Sequence, residues 1–148
     1  MQLKNIQKGN NLKKKKLIIF GSRSLRGNKV AEIIKTTLQK KKINEVITSG
    51  GIRGVCLEAQ KVCQRLAMPV KLIFPDFTKY ARGAFSMRSK AIITEGDMAL
   101  VIHDGISKGT ANELKLLEKT GIKYEYYTMQ PEEITELTIT DEELEILK

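Results

Sequence analysis

Four short apolar runs punctuate the chain, and each stops at a turn rich in glycine, proline or small polar residues. They predict strands over 16–20, 45–48, 70–74 and 98–102, with a fifth, tyrosine-rich strand over 123–128. Between them the apolar positions shift to helical spacing. Over 28–42, Val30, Ile33, Ile34, Thr37 and Leu38 share one side. Helices are also predicted over 55–66, 86–95 and 109–120; in the last, Leu114 and Leu117 share a face while Lys115 and Glu118 turn away. The connection over 77–85 is longer, polar and aromatic. Strands alternating with helices of this length predict an α/β fold, with a mostly parallel five-stranded sheet covered on both faces.

In such a sheet the carboxyl ends of the strands form one rim, where ligands bind. The chain's unusual residues fall there. Gly21, Ser22 and Arg23 follow the first strand; Gly50, Gly51, Arg53 and Gly54 follow the second; Lys108, Gly109, Thr110 and Glu113 follow the fourth. A glycine-bearing loop running into a helix N-terminus offers unpaired N–H groups and the positive dipole end to an anion. Two such loops on one rim are expected to cradle a phosphate, with Thr110 adding a hydroxyl, Lys108 a charge and Glu113 a carboxylate one turn in. Arg88 opens the third crossover, with Tyr80, Arg82 and Lys90 nearby as a basic, partly aromatic lip. Asp76 and Asp104 read as turn residues, and His103 as a strand-end residue without partners for a triad.

Charge sharpens the choice of ligand. The 148 residues carry a net charge of +9, unevenly spread. Residues 1–16 hold six Lys and no acid, whereas 131–148 hold seven acids against one Lys, so the body between them is itself basic. A basic body suits phosphate-bearing ligands, and nucleic acid would also satisfy it. The chain divides into a basic tail (1–15), an α/β domain (16–129) and an acidic tail or helix (130–148), with a capped helix start at Thr140-Asp141-Glu142-Glu143. No apolar run approaches the ~20 residues of a membrane span, so a cytoplasmic protein is expected. Cys56 and Cys63 stand about 10 Å apart on one helix, too far for a disulfide. With one His in the chain, no metal site and no resident cofactor are expected.

The strings LIIFGSRS, TSGGIRG, ARGAFSMRSKAII and ISKGTANE, in that order, resemble the SLOG proteins. This Rossmann-like group includes the Lonely Guy (LOG) enzymes, the DNA-processing protein DprA and the YspA/YpsA-related DUF2493 families. The resemblance spans roughly residues 17–128 and implies a Rossmann-like three-layer sandwich that binds a nucleotide or nucleotide-derived ligand. LOG enzymes cleave the N-glycosidic bond of nucleoside 5′-monophosphates. The resemblance implies Arg88 and Glu113 as a catalytic pair, and Gly50, Gly51, Gly54, Gly109 and Thr110 as phosphate holders. It also implies a homodimer or higher homo-oligomer. Ile106-Ser107-Lys108 replaces the proline and paired glycines of LOG enzymes, Ser89 replaces the Asn of the DUF2493 pattern, and Val55-Cys56 stands where that family carries an acid.

The altered glycine loop ranks the readings. First is a binder of an ADP-ribose/NAD-type or nucleoside monophosphate ligand: a sensor, carrier or sponge. Second is a phosphoribohydrolase. A weaker third is DprA-like binding of single-stranded nucleic acid, which predicts steep loss of affinity with salt.

Overall fold

The computed structural model describes residues 14–131. The expected helix start at Thr140 and most of the basic N-terminal segment lie outside them. Five strands alternate with helices: β1 (Lys16–Gly21), α1 (Asn28–Lys40), β2 (Glu45–Ser49), α2 (Gly54–Leu66) and β3 (Val70–Ile73). A short α3 (Phe77–Tyr80) and one 3-10 turn (Ala81–Gly83) then lead into α4 (Ala84–Glu95), β4 (Met98–His103), α5 (Lys108–Thr120) and β5 (Tyr124–Thr128).

All strand pairs are parallel, in the order β3-β2-β1-β4-β5. The central β1 pairs Leu17 with Val46 on one side and with Met98 on the other. Alternate side chains divide between two cores, as a pleated strand requires. Leu17, Ile19, Leu100 and Ile102 pack with Val30, Ile34 and Leu38 of α1 and Val55, Ala59 and Val62 of α2. Ile18, Phe20, Ala99 and Val101 pack with Ile92 and Ile93 of α4 and Leu117 of α5. Both faces of β1 and β4 are therefore buried, which is why these strands read as unbroken apolar runs rather than alternating ones. No helix among the described residues is long and apolar enough to cross a membrane.

Most boundaries fall within a residue of the sequence expectation, and three larger differences each have a local reason. Helix α1 stops at Lys40, because Lys42 takes φ 54° and turns the buried Ile43 back to donate its N–H to Leu38 O. The long connection contains α3, started by Asp76 Oδ1 accepting the Lys79 N–H at 3.0 Å. Helix α4 begins at Ala84, which places Phe85 on a helix rather than in a loop.

Candidate functional site

The sheet order reverses between β1 and β4, so the chain leaves these neighbouring strands toward opposite faces. That divergence opens a crevice at the carboxyl rim, the usual ligand position in doubly wound sheets. Buried hydroxyls stitch its base. Ser22 Oγ accepts the Asp104 N–H at 3.0 Å and lies 3.3 Å from Thr110 Oγ1. Ser24 Oγ donates to Asp104 Oδ2 at 2.7 Å. Asp104 also accepts from the Ser107 hydroxyl and from the N–H groups of Ile106 and Ser107. Burial alone would raise the Asp104 pKa; the hydrogen bonds from Ser107 and Ser24, then the backbone N–H groups, outweigh it and hold the carboxyl well below its ordinary range.

This latch sets the mouth of α5. The first helical bond runs from the Ala111 N–H to Ser107 O. The N–H groups of Lys108, Gly109 and Thr110 have no protein acceptor among the described residues. A Cβ on Gly109 would meet nothing within 4 Å. Three free donors, an open approach and the exposed Lys108 thus stand together at the positive end of a 13-residue helix.

One turn deeper, Glu113 meets α4. Ser89 Oγ donates to Glu113 Oε2 at 3.0 Å, and Arg88 Nη2 lies 3.6 Å from the same oxygen. The two charged side chains are only 15% and 12% exposed, so Arg88 is not the surface arginine that its helix position alone would imply. Burial raises the Glu113 pKa to about 7 against the opposing pull of Arg88, the Ser89 hydrogen bond and Arg23. The buried Nε of Arg88 has no hydrogen-bond partner among the described residues. Above the pair, the Phe85 ring stands 5.3 Å from the Arg88 guanidinium and 5.9 Å from that of Arg23. A cavity of ≈ 330 Å³ is lined by Arg88 together with Tyr80, Lys90, Phe74 and Met87.

The structure thus gathers Ser22, Arg23, Arg88, Thr110 and Glu113 around one notch, with Lys108 and Gly109 at its lip. Gly21 and Gly54 serve a different local need. A Cβ on Gly21 would overlap Val55, and one on Gly54 would overlap the backbone of Ser22 and Arg23. The α2 end is already engaged, since the Val55 N–H donates to Ser22 O at 3.2 Å. Gly50 lies under the Phe74 ring, the Gly51 carbonyl accepts from Gln60 Nε2, and Arg53 is exposed. No hydrogen bond or ion pair among the described residues joins these three to Arg88 or Glu113. Thr110 turns its hydroxyl inward to Ser22, so its free backbone N–H is what it offers a ligand.

His103 is tied at both nitrogens, to the Tyr126 hydroxyl at 2.8 Å and to Ser107 O at 3.0 Å, which makes it a brace for the same loop. Cys56 and Cys63 are free thiols, and burial pushes Cys63 up to about 11. Sequence reasoning missed Phe85 and the Ser89 hydroxyl. Their signal was the spacing, because Phe85, Arg88 and Ser89 fall three and four apart and share one face of α4.

No protein-family model matches this chain, and no curated protein matches it. Among solved structures it is similar to a Moco carrier protein from Chlamydomonas reinhardtii, with a TM-score of 0.56 and 15% identity over 80% of this chain and 79% of that one. At that identity the likeness shows the fold alone, a Rossmann-like α/β architecture.

Proposed function

We propose that this protein binds a nucleotide or nucleotide-derived small molecule in the notch between β1 and β4, as a carrier, sensor or sponge. One observation carries the reading. The unpaired N–H groups of Lys108, Gly109 and Thr110 lie one turn from a buried Arg88–Glu113 pair, with the charge of Arg23 acting on the same carboxyl. An oxyanion fits the first set and a polar, uncharged ribose fits the second. The SLOG resemblance of the GSRS, RSK and GTxxE strings points to the same ligand class. The solved neighbour is named a Moco carrier protein, and a carrier role is the reading of this notch that needs no turnover.

Gly109→Ala tests the phosphate end. The added methyl meets no protein atom, and alanine suits a helix better than glycine, so Tm is expected to hold or rise slightly. The methyl would stand in the approach to the free N–H groups, so AMP affinity by calorimetry is expected to fall ~10-fold, the cost of about one charge-assisted hydrogen bond. Unchanged affinity in a folded Gly109→Ala protein would remove the phosphate from this helix.

The second reading, hydrolysis of nucleoside 5′-monophosphates, is favoured by Glu113 itself. A carboxyl raised to about 7 is suited to hold or release a proton near neutral pH, and as a carboxylate it would stabilise positive charge developing on the ribose. The Arg88 guanidinium, 3.6 Å away, would position that carboxylate.

A further inference from the structure

We propose that Phe85 is the shelf on which the ligand's planar heterocycle stacks, so that this residue sets the preference for a base-bearing ligand over a bare sugar phosphate. The inference rests on the nucleotide reading above and adds what the other end of the ligand touches.

Phe85 is a large apolar side chain left 44% exposed beside a polar notch. Phe77, itself more than half exposed, meets it edge to face, with centroids 5.2 Å apart and planes at 80°. The guanidinium groups of Arg23 and Arg88 stand over the Phe85 ring, 5.9 and 5.3 Å from its centroid. Arginine planes and aromatic rings both stack nucleobases, and here they form one cluster.

Position along the helices gives the ligand a direction. Phe85 lies one turn above Arg88 on α4, and Gly109 and Thr110 lie one turn above Glu113 on α5. A molecule lying across the two helix mouths would place an anion on α5, a ribose over the Arg88–Glu113 pair and a flat ring on Phe85. Arg88 and Glu113, 3.6 Å apart, hold the two helices side by side, and each end of the site stands one helical turn, about 5 Å, from that pair, a spacing that suits a single nucleoside monophosphate. A sugar phosphate would fill only the α5 half and leave the exposed part of the Phe85 ring uncovered.

The test compares two probes on three proteins. AMP and ribose 5-phosphate share the phosphate and the ribose and differ in the base. Wild type is expected to bind AMP on the order of 10-fold more tightly, the usual effect of one stacked base. Phe85→Leu, checked by its thermal melt to be folded, is expected to lower AMP binding to the level of ribose 5-phosphate, so that the preference for the base is lost. Phe85→Trp is expected to restore the AMP preference. An AMP to ribose 5-phosphate ratio that survives Phe85→Leu would overturn the shelf while leaving the anion site standing. Wild type binding neither probe would overturn the nucleotide reading, and the shelf with it.

Discussion

Glu113→Gln is expected to make the protein more stable than wild type at pH 8 and about equal to it at pH 4. In the folded chain the Glu113 carboxyl titrates at about 7, against an ordinary value of 4.5. Below 4.5 both folded and unfolded states are protonated and the group has no linked effect. As pH rises from 4.5 to 7 the unfolded chain releases its proton while the folded chain keeps it, so stability falls. Above 7 the deficit is constant, at about 3 kcal/mol for a shift of this size. Glutamine keeps the oxygen that accepts from Ser89 and never ionises, so it removes this slope. Thermal melts of both proteins at pH 4, 6 and 8 read the difference directly, because every other titrating group is common to them. A Tm difference that does not change with pH would contradict the buried, proton-holding Glu113. The same variant separates the two functional readings: ligand binding should survive it, whereas cleavage of a nucleoside monophosphate should fall ~100-fold or more.

Gly54→Ala is expected to be the most damaging single change to folding among the rim glycines. Gly54 takes φ +74°, a region that an alanine enters only with strain, and its Cβ would overlap Cα of Arg23 and the Ser22 carbonyl. Both obstacles are backbone, so no rotamer relieves them. Strain of about 1–3 kcal/mol and overpacking of similar size combine to about 3 kcal/mol or more. A Tm drop of roughly 10 °C should follow. The displaced Ser22–Arg23 segment would also carry Arg23 away from Phe85 and Glu113, so AMP affinity should fall with stability. The contrast with Gly109→Ala is the informative part. A Gly54→Ala protein as stable as wild type would contradict the close approach of α2 to the β1 loop.

The strands were legible because their burial on both faces turns them into compact apolar runs, as at Leu17-Ile18-Ile19-Phe20. Helix faces were legible for the complementary reason: Val30, Ile34, Thr37 and Leu38 repeat at helical spacing and are the buried residues of α1. What each rim glycine does was not legible. Gly54 and Gly109 both precede or open a helix, yet one is packed against foreign backbone and the other faces nothing, and only tertiary neighbours decide that. Arg88 reads as a surface residue from α4 alone; Glu113, which draws it inward, arrives from another helix 25 residues later. Asp104 reads correctly as a turn residue, but its four donors come partly from Ser24, across the sheet reversal. The strand order that creates this reversal is set by which strands pair, and no local pattern encodes it. Phe85 was hidden by the boundary of α4: placed in a polar loop it carries no chemistry, and placed in the first helical turn it shares a face with Arg88.

The most direct measurement is a retention assay. Micromolar protein is incubated with near-equimolar AMP, CMP, ADP-ribose, cyclic ADP-ribose and NAD, each sample is passed through an ultrafilter, and the filtrate is quantified by HPLC. The notch between β1 and β4 predicts that at least one of these compounds is missing from the filtrate and returns intact when the protein is denatured. Free base accumulating beyond the protein concentration would place hydrolysis ahead of binding. All five compounds passing through unchanged would contradict a nucleotide site on this rim.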